Sequence, residues 1–348
     1  MPHLLISPSR ARANIRRMAE RAKRHGLDFL PHFKTHQGPV VADWCREYGA
    51  EAGAVTSFRM AEVFVEAGWR KLTVAMPLDP NEIEQLAKMS ERSEISVFLV
   101  DAGVADQLAR KIERPLPYFI EIDTGYGRSG VSWTDHRSIR AIISAAGQHN
   151  WRGFYVHSGH TYDAQSKEEI VQIHQQLLER IAVLKAAFTD TLEVVIGDTP
   201  ACSTQEDFRG ITGIGPGNFV YYDLVQQGLG ACQMGDIATC GSLNILQVKN
   251  GGKELVVHGG WAQLGKDSLE DERGKYYGLA VPLVGEDDWE HSRIFGRVTK
   301  LSQEHGTIVL NEPQGYVPGD RIGVLPVHAC AAVAGARIAW MMRGLLEK

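Results

Sequence analysis

With 348 residues, of which 44% are hydrophobic and 23% charged, the chain is long enough to bury one large core and a smaller one. A net charge of −5 with no basic run argues against a nucleic-acid or anionic-membrane surface, and no apolar stretch approaches the roughly 20 residues of a membrane span. Five scattered cysteines without a CxxC pair, and an N-terminus lacking the apolar core and cleavage site of a signal peptide, lead us to expect a cytoplasmic protein with reduced thiols.

Along the chain, Arg10, Arg12, Arg16 and Arg17 read as one face of a first helix. Short apolar runs then alternate with longer amphipathic ones. Strands are expected at 28–34, 51–56, 71–76, 95–101, 117–123, 153–157, 193–197 and 210–215. Helices are expected at 40–48, 59–67, 81–89, 104–112, 138–146 and 167–187. Strands separated by helices imply βαβ units and a parallel sheet. Eight of them predict a (β/α)8 barrel over residues 8–230, with a doubly wound open sheet as the alternative. No GxGxxG follows the first strand, which weakens that alternative.

After Leu229 the texture changes to short β-rich runs at 237–248, 255–258, 280–284, 294–299, 307–310 and 321–325, punctuated by Asn250-Gly251-Gly252 and Val317-Pro318-Gly319-Asp320. They predict a second, smaller and mostly antiparallel β domain over 231–348, with residues 1–7 available to pair with it. A helix over 334–346 is expected to end the chain.

Five clusters carry candidate chemistry. In Pro31-His32-Phe33-Lys34-Thr35-His36, an extended backbone would project His32, Lys34 and His36 to one side, disfavouring the charged ammonium and leaving Lys34 nucleophilic. A solvated lysine on a loop is the plainer alternative. His328 and Cys330, two apart after a strand, would present imidazole and thiol together, a donor pair that suits Zn²⁺; a core histidine beside a buried cysteine is the alternative. The strand entering Asp123-Thr124-Gly125-Tyr126-Gly127-Arg128 could offer Arg128 to an anionic oxygen. Tyr155 and His157 share a strand face, and Tyr162 follows on the loop. Gly197-Asp198-Thr199-Pro200 and Gly215-Pro216-Gly217-Asn218 follow the seventh and eighth strands, where barrels often bind phosphate through backbone N–H groups.

Six of these motifs, in order across nearly the whole chain, resemble the fold-type III pyridoxal-phosphate enzymes of the D-serine dehydratase and D-threonine aldolase group, which have an alanine racemase-like N-terminal barrel. The resemblance implies that Lys34 holds pyridoxal 5'-phosphate as a Schiff base and moves the Cα proton. It implies that Tyr155, Tyr162, Thr199, Gly217 and Asn218 contact the cofactor, largely its phosphate, and that Arg128 neighbours the phenolic oxygen. It further implies that His328 and Cys330 bind Zn²⁺, and that the β domain completes the site. Cys330 favours a dehydratase acting on D-serine or a β-substituted relative. Val327 and the plain run after Cys330 depart from the group's pattern and bear on substrate preference. A D-threonine-type aldolase is the runner-up, followed by a non-catalytic cofactor carrier and a racemase. Relatives of this kind imply a homodimer with a small-molecule substrate, no nucleic acid and no membrane.

Overall fold

The computed structural model describes residues 2–336, which form two compact units: one comprises 15–217, the other 2–14 together with 218–336. The expected boundaries were 7/8 and 230/231. The difference arises because residues 218–230 are tied to the second unit. There Asn14 Nδ2 donates to Val220 O at 3.1 Å, and Ala238 N donates to Tyr221 O at 2.8 Å. Of the expected C-terminal helix, residues 337–346 lie outside the described part; the backbone is helical from 329 to 336.

The second unit opens with β1 (His3–Ile6). The larger unit contributes β2 (Asp28–Phe29), β3 (Gly53–Val55), β4 (Lys71–Pro77), β5 (Glu94–Leu99), β6 (Pro117–Asp123), a short β7 (Val131–Ser132), β8 (Asn150–Val156), β9 (Glu193–Ile196) and β10 (Gly213–Ile214). Apart from β7, which pairs only with β6, they form a parallel sheet in the order β2-β10-β9-β8-β6-β5-β4-β3. A parallel bridge from His32 to Ala54 joins the last strand to the first, so eight strands close into the expected barrel. A strand such as β5 is almost wholly buried because helices cover its outer side and the barrel interior its other. Phe98, Phe119, Tyr155 and Val195, from β5, β6, β8 and β9, fill one interior layer with Leu30 and Ala75.

The covering helices follow the expected pattern, and Lys167–Ala187 matches its predicted bounds. Ser166 caps it by accepting from Glu169 N, and Glu168 and Glu169 place negative charge in its first turn. Ile170, His174, Leu177, Leu178, Ile181 and Leu184 recur at three- and four-residue steps and form its buried stripe.

In the second unit β11 (Thr239–Lys249), β12 (Glu254–His258), β15 (Gly278–Val281), β18 (Gly296–Leu301), β19 (His305–Leu310) and β20 (Arg321–Pro326) pair antiparallel in the ring β11-β12-β19-β18-β15-β20-β11. β1 adds to β11, with Leu5 opposite Cys240. The hairpins β13 (Leu269–Asp271) with β14 (Gly274–Tyr276), and β16 (Leu283–Val284) with β17 (Asp288–Trp289), were not anticipated. Alternate residues Leu243, Ile245, Leu255, Val257, Ile308, Ile322 and Val324 build the core of this barrel. No helix among the described residues is long and apolar enough to cross a membrane.

Candidate active site

The expected residues of the parallel barrel gather at the C-terminal ends of its strands. Lys34 follows β2, and Asp123 ends β6. Tyr155 lies at the end of β8 and His157 just after it, Thr199 follows β9, and Gly215 and Gly217 follow β10. Lys34 is not on extended backbone. Residues 33–36 form a turn, with Gln37 N donating to Phe33 O at 2.8 Å and Gln37 itself at φ +52°. The single side shared by His32, Lys34 and His36 is therefore corrected. His36 turns onto Phe33 and Phe64 and hydrogen-bonds at Gly38. His32 stays close, its Nδ1 accepting from Lys34 N at 3.2 Å, and His157, just after β8, stands near the lysine in place of His36.

Burial, followed by the charge of Lys34, pushes the His32 imidazole well below its ordinary pKa. Burial, then Lys34 and Arg128, brings His157 down to about 3. Both rings are neutral at physiological pH, so they surround the lysine with hydrogen-bonding nitrogens without adding charge.

Tyr155 lies in the interior layer, its ring 4.7 Å from Phe98 and 5.9 Å from Phe119. Its hydroxyl and the Thr199 Oγ1 are both buried without a partner among the described residues. Glycine backbone surrounds them. A Cβ at Gly215 would stand 2.4 Å from the Tyr155 Oη, and one at Gly197 3.5 Å from it. A Cβ at Gly217 would sit 3.0 Å from His32 O, so that glycine lets the β10 turn approach the lysine turn. Tyr162 reaches the same loops, its Oη accepting from Thr199 N at 3.1 Å. Two orphaned hydroxyl donors beside glycine-rich turns at strands seven and eight of the barrel fit a bound phosphate, since burying them without an acceptor is costly.

Arg128 stands half-exposed on a loop that Asp123 shapes, with Oδ1 accepting from Gly125 N and Gly127 N. Beneath it lies Glu121, a buried carboxylate whose Oε1 is 3.9 Å from Arg128 Nη2 and accepts from Ser129 Oγ at 2.9 Å. Burial raises the Glu121 pKa, against the opposing pull of Ser129 and Arg128. Sequence reasoning missed Glu121 as a support. The available signal was a carboxylate sharing the barrel-interior parity of Phe119 within an apolar strand.

Asn218, His328 and Cys330 belong to the other unit. The extended His-Ala-Cys backbone is corrected too. β20 ends at Pro326, and a helix begins at Ala329. Asp223 makes this turn: its Oδ2 accepts from Ala329 N at 2.9 Å and from Asn218 Nδ2 at 2.6 Å, while Oδ1 caps Gln226 N. His328 and Cys330 nevertheless stay within hydrogen-bonding reach of each other. Burial would lower the imidazole, but Asp267 and Cys330 outweigh it and raise its pKa. Among the described residues no three His, Cys, Asp or Glu side chains converge on one point. An imidazole and a thiol side by side fit a soft or borderline divalent ion held by two protein ligands.

A closed parallel barrel with a lysine turn at its strand ends, in a chain that continues into an antiparallel barrel, has the architecture of the alanine racemase-like enzymes. The family described as "Alanine racemase, N-terminal domain" matches residues 6–224, and "Putative serine dehydratase domain" matches 244–342. The chain belongs to this fold-type III pyridoxal-phosphate family, whose named relatives here are lyases. It is 26% identical to D-threo-3-hydroxyaspartate dehydratase of Delftia sp. (strain HT23), over 96% of this chain and 91% of that one. It is likewise 26% identical to D-serine dehydratase of Dictyostelium discoideum, over the same shares. The solved Delftia enzyme superposes with a TM-score of 0.88 at 24% identity, covering 96% of this chain and 92% of that one. D-threonine aldolase from Filomicrobium marinum superposes with a TM-score of 0.80 at 21% identity, covering 96% and 89%, which speaks for the fold alone.

Proposed function

We propose that the protein is a pyridoxal-phosphate- and zinc-dependent lyase that dehydrates a D-3-hydroxy amino acid, D-serine or a β-substituted relative, to a 2-oxo acid and ammonia. The observation that carries the choice of reaction is Cys330 beside His328, a thiol and imidazole pair suited to Zn²⁺. Coverage supports it. The two dehydratase matches above span 96% of the chain, whereas the curated aldolase matches span 50% and 42%. A cysteine-to-alanine variant of a D-threo-3-hydroxyaspartate dehydratase is described as being in the metal-free form, which supports a metal in that relative.

In this reading Lys34 holds the cofactor. Tyr155, Tyr162 and Thr199, with backbone at Gly217 and the amide of Asn218, hold its phosphate, and Arg128 sits by its phenolic oxygen. Bound there, the cofactor supplies an electron sink for the carbanion at Cα. Lys34 would also take up the proton at Cα. His32 and His157, both neutral, place ring nitrogens near Lys34 without adding charge. Glu121 and Ser129 hold Arg128 in place. His328 and Cys330 would hold a zinc ion, which would supply Lewis acidity for the β-hydroxyl, otherwise a poor leaving group. The net change is loss of water across Cα–Cβ, followed by hydrolysis to the 2-oxo acid and ammonia.

The reading includes a homodimer in the cytoplasm, as the family resemblance and the reduced-thiol pattern imply; light scattering on the purified protein tests the dimer. Purified protein given D-serine, D-threo-3-hydroxyaspartate and D-threonine should release 2-oxo acid and ammonia from at least one of the first two. Glycine plus aldehyde without 2-oxo acid would establish the aldolase instead. Lys34→Ala should abolish the visible absorption of bound cofactor and turnover together.

A further inference from the structure

Asp267 lies close to the His328 side chain and has no part in the reading above. Its Oδ2 is 3.4 Å from His328 Nδ1. The loop that carries it is held by packing. Gly265, at φ +83°, ends the short helix Trp261–Leu264, and a Cβ there would come within 2.7 Å of the Ala331 side chain and 3.3 Å of Asp267 Oδ2. Ala331 belongs to the helix that starts at Ala329 and bears Cys330 in its first turn. The Asp267 loop therefore approaches the helix that bears Cys330 closely, and Asp223 holds the His-Ala-Cys turn by accepting from Ala329 N–H.

Both side chains of the Asp267–His328 pair are more than a third exposed, at 48% and 37%. As a stabilising ion pair it contributes little, on the order of 0–1 kcal/mol. A carboxylate at Nδ1 has another consequence. It fixes the tautomer that carries its proton on Nδ1, so that Nε2 bears the lone pair a metal requires, and it orients the ring.

We propose that Asp267 is a positioning residue for the metal pair, accepting the Nδ1–H of His328 and presenting Nε2 to a divalent ion. This rests on His328 and Cys330 as the metal ligands.

The test is a titration of metal-stripped, full-length protein with Zn²⁺ against a chromophoric chelator, with His328→Ala as the baseline of a lost site. Asp267→Ala should weaken zinc binding by about 10- to 100-fold. Asp267→Asn, whose amide oxygen still accepts from Nδ1–H, should recover most of that loss. The melting temperature of the metal-free protein should be the same in wild type and both variants. Zinc affinity in Asp267→Ala equal to wild type would overturn the inference and leave the metal pair standing. An Asn variant as weak as the Ala variant would make Asp267 a direct ligand and overturn the positioning role. A wild type that binds zinc no better than His328→Ala would overturn the metal pair and this inference together.

Discussion

Removing one oxygen atom, in Tyr155→Phe, should move stability and cofactor affinity in opposite directions. The Tyr155 ring is wedged in the barrel's interior layer against Phe98 and Phe119, and only 4% of the residue is exposed. Its hydroxyl has no partner among the described residues. Burying an unpaired hydroxyl costs about 1–3 kcal/mol, so the cofactor-free variant should be more stable than wild type, by about 1–2 kcal/mol once the small gap left behind is discounted. In a unit of this size that corresponds to roughly 2–4 °C per kcal/mol in melting temperature. With the cofactor present the sign reverses. A hydrogen bond to a charged acceptor contributes about 1.5–3 kcal/mol, so the variant should bind pyridoxal phosphate roughly 10- to 150-fold more weakly. Thermal melts of stripped protein and an absorbance titration with cofactor read the two effects separately. A stripped variant that melts several degrees lower, with unchanged cofactor affinity, would show that the hydroxyl is an ordinary structural group and refute the assignment.

Two further predictions follow from the same geometry. A methyl group at Gly215 would meet the Tyr155 hydroxyl at 2.4 Å and Leu30 O at 3.0 Å, so Gly215→Ala should cost about 1–3 kcal/mol by overpacking. In the Tyr155→Phe background the cost should shrink, since the nearest remaining ring atom is 3.5 Å away; fully additive urea midpoints would contradict this contact. The second concerns pH. Burial brings the His36 imidazole down to about 3 in the fold, against about 6.5 when unfolded. The unfolded chain therefore takes up the proton first, and the stability present above pH 6.5 is lost as pH falls towards 3. Between pH 7.5 and 5 this one histidine should account for about 2 kcal/mol. Wild type should lose that much more stability than His36→Gln over this range in urea titrations, and equal losses would rule out the buried neutral ring.

Local sequence carried a large part of the architecture because its signals are local. The stripe of Ile170, Leu177, Ile181 and Leu184 declares a helix within its own span, and the doubly buried run 95–99 declares a parallel strand in the same way. The order of six motifs, including Lys34, Arg128, Tyr155 and Thr199, likewise needed no coordinates to point to a family. Periodicity could not supply the backbone of the two reactive turns. The pattern predicts extended backbone at Lys34 and Cys330, but Lys34 sits in a turn and Cys330 in the first turn of a helix. The first depends on Gln37 at positive φ and a carbonyl four residues back. The second depends on a carboxylate, Asp223, 106 residues before the Ala329 N–H it accepts from. The supporting acids were hidden for the same reason. Glu121 beneath Arg128 and Asp267 beside His328 matter only through where folding places them, and a charged residue carries no mark in sequence of the partner it will meet. The residues by themselves determined which chemistry is available to this protein; tertiary structure decided which side chains hold Arg128 and His328, and which hydroxyls await an acceptor, because those depend on contacts between segments far apart in the chain.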